Sequence, residues 1–113
     1  MELAQRQLDT FNAHDLEAFL PDFTDDVEIL DLFDGSVTLR GIAAFRERYA
    51  AVFRERPHIQ AELAGRMVVD RYVIDHERLM DGDEGPTQDA IAIYEVHGEQ
   101  IARMWFLLPA DHR

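Results

Sequence analysis

Cysteine is absent from these 113 residues, which removes disulfides, thiol nucleophiles and Cys-ligated zinc from consideration. A chain without thiols suits a reducing compartment, and a cytoplasmic location is expected. Lysine is absent as well. Every basic side chain is Arg, and 11 of them face 23 acids for a formal charge of −12. A nucleic-acid binder neutralises phosphates with Lys and Arg, so neither nucleic acid nor an anionic membrane is an expected partner. No apolar run reaches membrane-spanning length, and the opening MELAQRQ lacks the basic and apolar regions of a signal peptide. Ser36 is the only serine and has no GxSxG context. His, Asp and Glu show no metal-site spacing such as HExxH, so no metal is expected.

What remains is an ordinary globular composition, 47% apolar and 30% charged, in a length that fits one domain over 1–113. Ala4, Leu8 and Phe11 lie at i, i+4 and i+7, predicting a helix over Glu2–Asn12. Asp15 is placed to cap a second helix with the stripe Leu16, Phe19, Leu20 and Phe23. Pro21 cannot donate within it, so that helix should be short and restart. Thr24-Asp25-Asp26 reads as an acidic turn into a strand ending at Asp31, and Asp34-Gly35 as a hairpin turn to a return strand, Val37–Leu39. Ile42, Phe45, Tyr49, Val52 and Phe53 mark one side of a third helix, which Pro57 ends. Four long strands follow over 58–69, 72–80, 87–96 and 100–108, with an acidic loop at Asp81–Pro86. Helices segregated before a run of antiparallel strands predict an α+β fold, a sheet curled around three helices with a hollow between them.

Asp31 shares its strand face with Val27 and Ile29, so its carboxylate should be paired, protonated or set in a cavity wall. Asp75 and Glu77, at i and i+2, share a face with Val73 and Leu79. Two carboxylates that close would push one pKa upward, unless the pair faces solvent or is salt-bridged to Arg66 or Arg103. His76 falls on the opposite face. Phe11, Phe19, Phe23, Phe45, Tyr49 and Phe53 are core residues by spacing, some of them available to line a pocket.

The motifs Phe11-Asn12-Ala13-His14-Asp15-Leu16 and Phe23-Thr24-Asp25-Asp26-Val27 resemble the NTF2-like superfamily, the cone-shaped α+β fold of ketosteroid isomerases and SnoaL-like polyketide cyclases. Arg40-Gly41 before the third helix and the hairpin Ile93–Ile101 fit it too. The resemblance spans nearly the whole chain. It implies a curved antiparallel sheet around three helices (a cystatin-like roll) and a pocket for a small apolar molecule, with no cofactor. Asp31 matches the position of the isomerase general base. The oxyanion-hole Tyr and Asp positions hold Gln7 and Ala92 instead, so Gln7, Tyr94 or Tyr49 would have to supply donors. The pocket this implies is lined by Leu8, Phe11, Phe19, Tyr49, Phe53, Asp75, Glu77, Ala92, Met104 and Phe106. By parity with the pattern, Ala102, Met104, Phe106 and Leu108 face inward. Ile101, Arg103, Trp105 and Leu107 then face outward beside Ile91 and Ile93, an apolar surface that a homodimer would cover. The expected function is proton abstraction next to a carbonyl, in an isomerase or cyclase. The alternative is a non-catalytic ligand-binding or assembly domain of the same fold.

Overall fold

The computed structural model describes residues 2–82 and 88–107. Three helices, α1 (Glu2–Asn12), α2 (Leu16–Phe19) and α3 (Ile42–Glu55), pack on one face of a sheet of six strands. The strands are β1 (Phe23–Asp31), β2 (Val37–Arg40), β3 (Ile59–Val69), β4 (Tyr72–Asp81), β5 (Gln88–His97) and β6 (Gln100–Leu107). Among the described residues no helix is long and apolar enough to cross a membrane. The expected Leu108 inner-face position, Thr87 at the start of β5 and the loop residues Asp83–Pro86 lie outside the described residues.

Local chemistry sets the helical half as its sequence implies. The Asp15 carboxylate accepts from the Ala18 amide at 3.2 Å, and α2 stops at Phe19, where Leu20–Asp22 tighten into a single 3-10 turn around Pro21. Asn12 then latches α1 onto the free edge of the sheet. Its side chain donates to the Ala61 carbonyl (2.9 Å) and accepts from the Ala61 amide (2.7 Å), replacing the missing neighbour strand of β3. His14 meets the Ile59 carbonyl at 2.6 Å and stacks on Phe53 with ring centres 4.7 Å apart. The joint between the helices thus holds α1 over the sheet.

Two expectations need correction here. Thr24-Asp25-Asp26 is part of β1 rather than a turn. The sheet is also mixed: in the order β2-β1-β6-β5-β4-β3, β1 runs parallel to β6, and every other ladder is antiparallel.

Two register shifts decide which side chains face the helices. In β6 the pairing moves from Glu95↔Arg103 to Val96↔Ile101, leaving Ala102 as an extra residue. A bulge of this kind reverses parity, so Ile101 turns inward and is fully buried, contrary to the outward placement expected for it. Ala102 in turn lines a surface groove with Arg103. In β3 the pairing jumps from Leu63↔Glu77 to Gly65↔His76. Beyond that shift Arg66 stands opposite Asp75 on the inner face, where unbroken alternation from Ala61 would have sent it out.

The core is a cluster of rings. Phe19, Phe23 and Phe45 are almost fully buried, and Phe23–Phe45 and Phe45–Tyr49 lie 4.5 and 4.7 Å apart by ring centre. On the opposite sheet face, register places Met67, Ile74, Ile93, Trp105 and Leu30 in one lateral row across five strands. The adjacent row holds Arg103, bonded to both Glu28 (3.1 Å) and Glu95 (3.3 Å).

Candidate functional site

Between α1, α3 and the inner sheet face lies a cavity of about 190 Å³. Leu8 and Phe11 of α1, Val52 of α3, Ile59 and Ala61 of β3, and Met104 and Phe106 of β6 make most of its wall. Into this apolar enclosure the fold turns four polar groups, from Gln7, Tyr49, Glu77 and Tyr94, and Arg48 stands at the rim.

Glu77 is 7% exposed, yet no guanidinium among the described residues pairs with it. Arg66 is already committed, bonding both oxygens of the fully buried Asp75 at 2.7 and 2.9 Å. A planar guanidinium matched to both carboxylate oxygens satisfies that partner and leaves little for another. Burial in the apolar wall, helped by the charge of Asp75, therefore pushes the Glu77 carboxyl up to about 7, while the Tyr94 hydroxyl and Arg66 pull the other way. Glu77 is thus poised to exchange a proton near neutral pH.

The donors around it are ordered. The Tyr94 hydroxyl gives its proton to Glu77 Oε2 at 3.4 Å and accepts from Gln7 Nε2 at 3.2 Å. The second Gln7 amide hydrogen goes to the Ala4 carbonyl at 3.0 Å, which fixes the orientation of the amide, since the flipped form would set oxygen against oxygen. Tyr49 differs. Its hydroxyl makes no hydrogen bond among the described residues, and burial holds its pKa well above the ordinary tyrosine value, so it stays a proton donor. No group of three His, Asp or Glu side chains among the described residues is placed to hold a metal ion.

The residues expected around a hollow divide accordingly. Gln7, Leu8, Phe11, Tyr49, Glu77, Tyr94, Met104 and Phe106 line the cavity. Phe19 and Ala92 do not; they are packed into the solid core at 1% and 0% exposure. Phe53 is spent on stacking with His14 and on a tilted contact with Phe11. Asp75 is the salt-bridged member of its pair rather than a wall residue.

Asp31 is the main correction. Register still pairs it with Phe106 at the end of β1, but its carboxylate accepts from the Phe33 and Asp34 amides at 2.8 and 3.2 Å. An aspartate at a strand end, two residues before free turn amides, closes a local ring in preference to reaching inward. It caps the β1–β2 turn and does not line the cavity. Asp31→Asn keeps an acceptor oxygen for both amides, so its unfolding free energy should stay within about 0.5 kcal/mol of the parent. Asp31→Ala should cost about 1 kcal/mol, judged by capping losses elsewhere. Urea titration of the two variants checks both figures.

Arg48, Val52, Ile59, Ala61, Leu79 and Ala90 also line the cavity, though none was among the expected pocket residues. Local pattern places several of them. Val52 belongs to the α3 stripe with Tyr49, and Arg48 lies one turn before Val52 on its flank. On β4, Leu79 shares the face of Glu77, and on β3 Ile59 and Ala61 alternate ahead of the register shift between Leu63 and Gly65.

The family model for the SnoaL-like domain matches residues 4–104. Among solved structures, an uncharacterised cystatin-fold protein from Novosphingobium aromaticivorans superimposes with a TM-score of 0.82 at 28% identity, covering 94% of this chain and 95% of that one. A candidate polyketide cyclase from Sinorhizobium meliloti gives 0.81 at 16% identity, covering 95% and 94%. A candidate ketosteroid isomerase from Kribbella flavida gives 0.78 at 20% identity, covering 96% of this chain and 76% of that one. The last two likenesses concern the fold alone. No curated protein matches the sequence.

Proposed function

This chain belongs to the SnoaL-like domain family, and from that premise we propose that it binds a small apolar carbonyl compound and moves a proton next to the carbonyl, with Glu77 as the general base. The observation that carries the reading is the Glu77 carboxyl, 7% exposed in an apolar cavity wall and bonded by the Tyr94 hydroxyl, with no guanidinium paired to it among the described residues; burial there pushes its pKa up to about 7. A base matched to ambient pH both accepts and returns a proton efficiently. In the step itself, the Glu77 carboxylate takes a proton from the carbon beside the carbonyl. The electron pair left behind moves into an enolate, and return of the proton, to that carbon or a conjugated one, completes exchange or isomerisation. The Tyr49 hydroxyl supplies the hydrogen bond to the enolate oxygen. Tyr94, held by Gln7, stabilises the ionised base.

Cavity size narrows the substrate. About 190 Å³ falls below the roughly 300–1,000 Å³ of pockets for drug-sized ligands and just above the roughly 150 Å³ that holds benzene. A single ring or a short branched chain fits; a four-ring steroid does not. The test is deuterium uptake beside the carbonyl of cyclohexanone in D₂O, followed by NMR. Acceleration by the parent and by Asp31→Asn alike supports the reading. A parent that binds cyclohexanone but leaves its exchange at the buffer rate is a binding domain instead.

Assembly is the second part of the proposal. The apolar row Met67, Ile74, Ile93, Trp105 and Leu30, with Ile91 and the tethered Arg103 beside it, forms a contact suited to a second copy of the chain. Met67 is 60% exposed on that row, which favours a two-fold partner over water. Light scattering at micromolar concentration should give twice the 13.1 kDa chain mass, and Trp105→Glu should halve it. A monomeric parent would end this part of the proposal.

A further inference from the structure

Arg48 stands at the mouth of the cavity in a protein whose arginines are otherwise mostly occupied. Arg46, two residues earlier on α3, grips Glu17 through both nitrogens at 2.6 and 2.7 Å, and Arg66 does the same to Asp75. Arg48 makes no ion pair among the described residues. Its neighbours one helical turn away on α3 are Ala44, Phe45, Ala51 and Val52, so no acid on its own helix can reach it by i±3 or i±4 spacing. In a chain of net charge −12, with acids outnumbering bases two to one, Arg48 is the one cationic side chain among the described residues that line this apolar cavity, and it favours an anion there. Arg48 and Tyr49 line the same cavity, so the cation and the candidate donor border one space.

We propose that the ligand is a small apolar carboxylate, its ring or chain in the cavity and its carboxylate on Arg48 at the rim. This rests on the reading of the cavity as a ligand site. It adds a charge requirement that the proton-transfer step does not need. A ligand seated this way is oriented: the anion is held at the mouth, and the far end of the molecule is delivered to Glu77 and Tyr49. The guanidinium also offsets the repulsion an anion meets on approaching so acidic a protein.

The probes are cyclohexanecarboxylate and cyclohexanecarboxamide, equal in shape and different in charge, titrated at pH 6, where Glu77 keeps its proton and the probe carboxylate is ionised, at low salt with amide NMR shifts as the readout. The parent should bind the carboxylate about fivefold more tightly than the amide, the scale of an exposed ion pair. Arg48→Gln should bring the two affinities together, with the larger loss falling on the carboxylate. Arg48→Lys should keep most of the preference, and about 0.5 M salt should shrink it in the parent. Equal affinities in the parent, a preference that survives Arg48→Gln, or no binding of either probe would overturn the proposal. A clear carboxylate preference in a protein that fails to speed cyclohexanone exchange would leave this assignment standing and remove only the catalytic one.

Discussion

Replacing Glu77 by Gln should remove proton transfer in the cavity and, at the same time, stabilise the fold above neutral pH. Loss of a positioned general base costs about 10²–10⁴ in rate, so accelerated cyclohexanone exchange should fall to near the buffer rate. The stability effect follows from linkage. An unfolded Glu releases its proton near 4.5, whereas the folded carboxyl holds it to about 7. Between those two values the folded chain carries one proton more than the unfolded chain, so stability drops as pH rises through the window. The shift amounts to roughly 3 kcal/mol at its upper limit. Gln keeps the shape, accepts from Tyr94 and never ionises. The variant should therefore match the parent near pH 5 and exceed it by roughly 2–3 kcal/mol at pH 8. Urea unfolding at both pH values decides the matter. Parallel curves for parent and variant would mean that Glu77 ionises as an ordinary surface acid. A stabilising change that abolishes activity is the mark of a group kept for chemistry at the expense of stability.

The second large effect belongs to the pair below it. Arg66→Met should cost about 3–5 kcal/mol, because it strands the fully buried Asp75 carboxylate without a counter-ion. The double change Arg66→Met with Asp75→Leu should recover most of that loss, since replacing both partners by apolar groups is close to neutral. A double variant as unstable as the single one would show that packing around Arg66, rather than the ion pair, is what matters. Asp75→Asn makes the opposite electrostatic change. It deletes the anion that raises the Glu77 carboxyl and frees a guanidinium beside it, so the Glu77 pKa should fall from about 7 toward the ordinary range. Carboxyl NMR reads that shift directly. Neither Asp75 nor Arg66 lines the cavity, so both act on Glu77 through their charge.

Much of this architecture can be read from local pattern. The helix bounds follow from Asp15, Pro21 and Pro57, residues whose effect is confined to a turn or two of backbone. The hairpin at Asp34-Gly35 follows from a glycine at φ 75°, a conformation other residues resist. Asp75 and Glu77 could be seen as a pair from their spacing, and a salt bridge to Arg66 was already one of the two ways to satisfy them. Asp31 shows the limit. Its alternation with Val27 and Ile29 is real, yet alternation says nothing about amides two and three residues ahead that compete for the same carboxylate.

The amino-acid order alone determined the acidic α+β domain, its three helices, the ring-filled core and the exclusion of thiol chemistry, since each depends on composition or on neighbours within a few positions. Tertiary structure alone decided which carboxylate is buried without a counter-ion. A shift of one residue in β3 carries Arg66 across the sheet to Asp75, and another in β6 turns Ile101 inward. Such shifts change parity at no visible cost to the hydrophobic pattern, so only the paired strands reveal that Arg66 is taken up by Asp75 and leaves Glu77 without a guanidinium partner among the described residues.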